Sequence, residues 1–381
     1  MCKDILKYNF LITLLLVFLF SNICIISAAD IDSMQTEIDL NGYSFIIGEN
    51  EAMQYSIDEI CGLMEPEDQP PDTNFDPMLG DIESLPSKFD WRMKGGVPSV
   101  RNQRSCGSCW AFAIAGVMES AIRIFADNTV DLSEQYLVSC NYDGYGCEGG
   151  WWSAHKYHLN AIPRGEKSSG AVEEKEFPYK AKDLPCNPPH PHPFKLKSWS
   201  YIGRNYYPSI EQIQKAIYKY GPAAVAVRVD SYFQAYRGGV FDRHSSGSIN
   251  HAVILVGWDN NYEYEGKKYG VWILKNSWGK FWGDEGYMYI KYNTSSVGYS
   301  ANYVTISDDI KYCQTPVSGD MLINWNCILK KSYIVPENVL VQNNSVLTIP
   351  SGIELDINFQ NNHLRVDSGC GILIKKGGAI K

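Results

Sequence analysis

The sequence predicts an α+β fold in which a helical lobe and an antiparallel β lobe face each other across a cleft. Two observations predict it: helix signals cluster between Ala111 and Ile217, and runs rich in Val, Ile and Tyr follow from Ala223 to Ile306. A third concerns what comes after Ile306, where short strands at fairly regular spacing are punctuated by Gly, Asn or Ser. At 381 residues the chain has room for one full domain with one or two smaller pieces.

Residues 1–29 differ sharply from the rest. Lys3 and Lys7 precede the apolar run Phe10 to Phe20, and Ser27-Ala28-Ala29 offers a small-residue cleavage site. That pattern is a secretory signal peptide, with cleavage expected after Ala29. A retained membrane anchor is the alternative, because Ile12 to Ile26 prolongs the apolar stretch. Residues 30–84 hold fifteen Asp or Glu and no Lys or Arg, a charge of -15. The total of -9, with +1 from the signal segment, leaves +5 for residues 85–381. Residues 30–84 therefore read as an acidic pro-segment resting on a mildly basic body, ending in a Pro- and Glu-rich linker around Glu65 to Pro71. No basic cluster is dense enough for a nucleic-acid partner.

The next unit, residues 85–308, opens at Leu85 to Arg92. A helix is expected from Ala111 to Phe125, and a shorter one after Asp131-Leu132 with Ser133 as its cap. Another is expected from Trp151 to Asn160, after Gly149-Gly150. Ser209 and Gln212 form a capping box that leads Ile210, Ile213, Ala216 and Ile217 along one face, and Gly221-Pro222 stops that helix. Strands are expected over Ala223–Val229, His251–Trp258, Tyr269–Lys275, Gly286–Tyr292 and Tyr303–Ile306. Residues 309–381 form a β-rich extension, read as the opening rungs of a β-solenoid, with a β-sandwich fragment as the alternative.

The chemistry centres on Cys106-Gly107-Ser108-Cys109-Trp110. A thiol at a helix N-terminus feels the positive end of the macrodipole, which favours thiolate, so Cys109 is a candidate nucleophile. Gln103 upstream can supply an amide donor to a developing oxyanion. Of seven histidines, His155, His158, His190, His192, His244 and His363 read as surface residues. His251 stands apart, at the mouth of an apolar strand in Asn250-His251-Ala252-Val253. Asn276, in Lys275-Asn276-Ser277-Trp278-Gly279 at the end of the next strand, can accept from the imidazole and fix its tautomer. Trp278 can cover that hydrogen bond.

From about Leu85 to Ile306 the sequence resembles the papain-like cysteine peptidases, and the resemblance spans the whole two-lobed unit. It implies Cys109 as nucleophile, His251 as base and acid, Asn276 as the group orienting the imidazole, and Gln103 with the Cys109 backbone N–H as oxyanion hole. Trp278 matches the shielding indole, and Cys147-Glu148-Gly149-Gly150 matches the segment whose glycine backbone pairs with bound peptide. Disulfides Cys106–Cys147 and Cys140–Cys186 follow from the same matching. A third bridge common in the family is missing, since no cysteine stands between Cys186 and Cys313. Cys313–Cys327 is expected in the extension, with Cys370 unpaired. In such sites a thiolate–imidazolium pair depresses the cysteine pKa to ~3–4.

The resemblance places Trp151, Trp152, Ala252 and Asn302 at the main specificity pocket, which predicts an apolar side chain two residues before the cut. The alternative for Trp152 is plain core packing. No His-His pair stands between Gly150 and Cys186, so internal cleavage is expected rather than end trimming. The run Pro188 to Pro193 reads as a stiff surface excursion. No cofactor and no metal are implied. Peptide or protein substrates and the chain's own pro-segment, as intramolecular inhibitor, are the implied partners. The extension is a candidate for contact with a surface or another protein, and the molecule is expected to be a monomer, secreted or held in a lysosome-like or cell-surface compartment. The pro-segment is short, lacks a long charged helix and carries Asn74-Phe75-Asp76, the triplet to compare with the family's inhibitory motif. It is expected to loosen as its carboxylates protonate. Two rival readings use the same residues: an idle peptidase fold serving as an adhesion scaffold, and a transpeptidase working through the same thiol.

Overall fold

The computed structural model describes residues 28–67, 82, 84–203, 206–306, 312–313, 315–324 and 326–381. The apolar run Phe10 to Phe20 and the triplet Asn74 to Asp76 lie outside them. Among the described residues no helix is long and apolar enough to cross a membrane.

The N-terminal segment carries more structure than its sequence suggests. Helix α1 (Ala28–Asn41) is followed by strand β1 (Phe45–Ile47), a 3-10 turn at Glu51–Gln54 and the short helix α2 (Ile57–Ile60). The expectation of no long helix needs correcting, because α1 runs for 14 residues. Its amphipathic signal is weak, and what anchors it is Ile38, buried, with Glu37 accepting a hydrogen bond from the Tyr232 hydroxyl. Strand β1 is an edge strand of the main sheet. It pairs antiparallel with a strand nearly two hundred positions on, in the register Phe45 to Gly239.

In the helical lobe, after the short strand β2 (Lys88–Asp90), α3 (Cys109–Phe125) buries nearly every side chain, so it is the central helix. Its small residues allow close packing: a Cβ on Gly116 would lie 2.6 Å from Ile254 Cδ1. Helix α4 (Glu134–Ser139) starts at Ser133, whose hydroxyl accepts from Tyr136 N–H as the sequence predicts. The helix expected over Trp151–Asn160 is shorter: a 3-10 turn at Trp152–Ala154 leads into α5 (His155–Leu159).

The β lobe holds β3 (Ser198–Tyr201), α6 (Ile210–Tyr220), β4 (Ala223–Val227), α7 (Ser231–Gln234) and β5 (Tyr236–Phe241), then β6 (His251–Tyr264), β7 (Lys267–Lys275), β8 (Tyr287–Lys291) and β9 (Tyr299–Thr305). The capping box on α6 forms with both hydrogen bonds. The sheet order is β1-β5-β8-β7-β6-β4-β9-β3, with β2 beside β6. Strands β4, β6 and β7 run antiparallel, with Val227 opposite His251 and Ile254 opposite Lys275. This register brings the start of β6 next to the end of β7.

The extension is a three-sided parallel solenoid. Its strands β10 (Met321–Ile323), β11 (Cys327–Ile328), β12 (Tyr333–Ile334), β13 (Val339–Val341), β14 (Val346–Ile349), β15 (Glu354–Asp356), β16 (Leu364–Val366), β17 (Gly371–Ile374) and β18 (Ala379–Ile380) form three sheets. These sheets are β10-β13-β16, β11-β14-β17 and β12-β15-β18, each strand pairing in parallel with its equivalent one turn on. A sandwich would have paired the strands face to face. Met321, Val339, Leu347 and Leu355 fill the interior, whereas Leu364, Ile372 and Ile380 of the last rung are only half-buried.

Candidate active site

Cys109 is the first residue of α3, and its sulfur sits where four backbone N–H groups converge: those of Ala252, Gly62, Trp110 and Cys109 itself. Ala252 follows His251 on β6, so this contact joins the two lobes at the thiol. The His251 ring lies beneath Trp278, 4.7 Å between ring centres. Its Nε2 bonds to Asn276 Oδ1 at 2.8 Å, and that oxygen also accepts from Ser277 N–H. An amide oxygen can only accept, so the proton sits on Nε2 and Nδ1 is the free base. His251 Nδ1 is buried and makes no hydrogen bond.

Gln103 is fully buried. Its Oε1 accepts from the Ser277 hydroxyl at 2.6 Å, which fixes the flip of the amide. The Nε2 then donates to the carbonyl of Cys106 at 2.8 Å and to that of Ile60 at 3.0 Å. Ile60 belongs to the N-terminal segment, which fills the cleft. Gly150 N–H donates to Gly62 O at 2.9 Å, Met64 N–H to Gly150 O at 3.1 Å, and Leu63 N–H to Asn250 O at 3.0 Å. Residues 62–64 are thus stitched to both walls, in parallel with the chain at Gly150. Two glycines permit the approach. A Cβ on Gly62 would fall 1.8 Å from the Gly107 carbonyl, and one on Gly149, whose φ is +142°, would fall 2.7 Å from Gly62 O.

This cover changes the electrostatics. Burial pushes the Cys109 thiol up to about 11, against the lowering by backbone N–H groups, and pulls the His251 imidazole down to about 4. The sequence-based expectation of a strongly depressed thiol therefore does not hold with the cleft filled. Both groups are neutral here because a charge has no water to meet. Beside Asn276, the buried Lys275 ammonium is pulled down to about 8 by burial, with Glu119 and Glu134 partly opposing that. Reading the sequence missed this buried acid–base group, since carboxylates inside an apolar helix pattern look like ordinary surface positions.

The remaining residues expected at the site divide. Ala252 touches the thiol. Trp151 and Trp152 are buried, their indole N–H groups donating to Tyr201 OH and Ser300 Oγ. Asn302 is buried too, its Oδ1 bonded to His155 Nε2 at 3.0 Å. Each of the three is held by a polar partner within the fold. The N-terminal segment instead meets Gly149 through Met64, and Tyr299 through a hydrogen bond to Glu65.

The surface reading of four histidines is overturned. His155 and His158 are buried, their pKa values pulled down to about 4 and about 3 by loss of water. His190 and His192 turn inward onto Glu166, at 2.6 and 3.2 Å, while Pro189, Pro191 and Pro193 stay exposed. Alternation along an extended chain places the two rings on one face. Glu166 and His190 also lie beside Cys140 and Cys186, but those two sulfurs are bonded to each other. Disulfides Cys106–Cys147, Cys140–Cys186 and Cys313–Cys327 are all formed, and Cys61, Cys109 and Cys370 are free among the described residues.

Residues 85–308 match the family described as papain family cysteine protease. Human cathepsin O is 38% identical over 220 residues, a stretch covering 56% of this chain and 64% of cathepsin O, so the chain spans less than two thirds of that relative. Ananain from Ananas comosus is 34% identical over 274 residues, covering 70% of this chain and 74% of its own. Among solved structures, a recombinant stem bromelain precursor shares 30% identity at a TM-score of 0.61, covering 72% of this chain and 88% of that one. Digestive procathepsin L2 from the larval midgut of Tenebrio molitor gives 28% and 0.63, covering 72% and 89%. Both structures are precursors, and both overlap more of this chain than the 56% that cathepsin O does. Since the match runs the full length of the two-lobed unit that carries the thiol, the imidazole and the amide, the chain belongs to the papain family of cysteine proteases.

Proposed function

We propose that this chain is the precursor of a secreted cysteine endopeptidase, with residues 30–84 as a pro-segment that blocks the cleft until removed. The observation that carries this reading is the Gln103 amide, which already donates to a peptide carbonyl, that of Ile60, in the cleft beside Cys109. The segment resists cleavage for a geometric reason. The Gly62 N–H faces the sulfur, where a substrate would present a carbonyl carbon.

Once the segment leaves, water reaches the site and the proton of Cys109 passes to His251 Nδ1, with Asn276 Oδ1 holding the Nε2–H. The thiolate attacks the substrate carbonyl, and the oxyanion is met by Gln103 Nε2 and the Cys109 N–H. His251 Nδ1–H then protonates the leaving amine, giving a thioester. Water, deprotonated by the same nitrogen, releases the acid and restores the thiol. The Gly150 backbone, which pairs with the pro-segment here, is free to pair with substrate.

The test compares the purified precursor with Cys109→Ala at acid pH in reductant. The wild type should label at Cys109 with an epoxide thiol reagent and convert to a shorter form. The variant should do neither. An intact wild type that neither labels nor shortens would sink the reading in favour of an idle scaffold.

A further inference from the structure

Cys61 has no part in the proposed hydrolysis, yet the fold carries it to the nucleophile. Its two neighbours are fastened on either side: Ile60 O by Gln103 Nε2, and Gly62 O by Gly150 N–H. The Gly62 N–H lies near enough to the Cys109 sulfur to lower its pKa, and the Gly62 backbone is pressed against that of Gly107, where a Cβ would fall 1.8 Å from the carbonyl oxygen. That nitrogen lies only about 2.4 Å from the Cys61 Cα, two bonds away. Cys61 and Cys109 therefore lie close enough to feel each other's charge. Cys61 is half-buried, Cys109 is fully buried, and neither is paired. The other free cysteine among the described residues, Cys370, sits at the third rung of the solenoid. Every other cysteine past residue 84 is already in a disulfide, so the chain is built for an oxidising compartment.

We propose that Cys61 and Cys109 are the two halves of a redox latch: a disulfide between them ties the pro-segment across the nucleophile, and its reduction is required before the cleft can open. The proposal rests on residues 30–84 acting as the cleft-blocking pro-segment. Glutathione disulfide, or another small disulfide, is the oxidant. The half-buried Cys61 sulfur attacks it, breaking the S–S bond and releasing one glutathione, which takes the Cys61 proton. The Cys109 sulfur then attacks Cys61, forming the new S–S bond and releasing the second glutathione with the Cys109 proton. Two protein thiols are oxidised and one small disulfide is reduced. Closing the bond requires the Cys61 side chain to turn toward Cys109 with the two Cα atoms within about 4.4–6.8 Å, the span of a disulfide.

The experiment uses the full-length precursor equilibrated with glutathione disulfide at about pH 8, where thiolate attack is favoured. A non-reducing digest should contain the Cys61 peptide joined to the Cys109 peptide. That species should vanish with dithiothreitol, be absent from Cys61→Ser and Cys61→Ala, and persist in Cys370→Ser. On transfer to acid, epoxide labelling of Cys109 should be slower in the oxidised wild type than in oxidised Cys61→Ser, on the order of tenfold or more. Recovery of Cys61 as a free thiol or a simple glutathione adduct, with equal labelling in both proteins, would overturn the latch. The linked peptide is read by mass, so the latch is decided even if reduced wild type shows no activity, which would count against the catalytic reading instead.

Discussion

Gln103 sits fully buried with its side-chain oxygen held by Ser277 and its nitrogen aimed at a peptide carbonyl, so its donor is fixed before any substrate arrives. Replacing it with Ala should lower kcat by ~10²–10³ with little change in KM, the signature of a donor used in the transition state. Steady-state kinetics on the processed enzyme checks this, and an effect confined to KM would refute it. Residues of this kind were legible in the sequence because chemistry ties their identities to short local patterns. Cys109, His251 and Asn276 each stand at an element boundary that the pattern of apolar residues marks. Cys61 was not legible, because its meaning depends on a fold-back from a segment that precedes the domain. The histidines of α5 were misread for a related reason. A five-residue helix shows too little periodicity to say which face is inward, and Trp199 stacks over His155 from a strand far along the chain.

At the scale of elements, capping signals translated directly into structure. Both hydrogen bonds of the Ser209–Gln212 box form at the head of α6. Ser209→Ala should therefore cost about 1 kcal/mol, read by chemical denaturation. A loss below a few tenths would mean that the packing of Ile213 and Ile217 holds the first turn alone. Strands β3 and β5 and helix α7 were not anticipated. Strand β5 contains Gly238 and Gly239 and has no alternating apolar pattern, so its partners β1 and β8 define it. The solenoid was legible as evenly spaced apolar triplets. Its parallel register was not, since each rung pairs only with the equivalent strand of the next coil.

For the whole molecule, the acidic N-terminal segment promised a charge match with a basic body. Two of its carboxylates meet neutral donors instead: Glu37 accepts from the Tyr232 hydroxyl and Glu51 from the Asn102 amide. The acid response moves to His251, whose pKa falls from the ordinary 6.5 to about 4 through burial with the segment seated in the cleft. In the Cys109→Ala precursor, where no thiol can hand it a proton, His251 takes one from solvent more readily in the open form than in the closed form. The stability this imidazole gives to closure is therefore complete above pH 6.5 and drains away as pH falls toward 4. In that variant, hydrogen exchange at the Met64 amide, which donates to Gly150 O, should accelerate across that window beyond the intrinsic trend. With His251→Gln added to Cys109→Ala, the acceleration should disappear. A Cys109→Ala profile with no added acceleration would place the trigger elsewhere.

Strand β1 carries one more consequence. It belongs to the segment that maturation would discard, yet it closes one side of the nine-stranded sheet against β5. Losing it would strip β5 of its outer hydrogen-bonding neighbour and leave a row of backbone groups facing solvent. The bulge in the β1–β5 register and the glycine at 239, with φ of +83°, bend that row away from flatness. Such a kink is a known deterrent to adventitious strand addition. The active enzyme would thus carry a built-in guard against self-association along a seam that its own precursor had kept sealed.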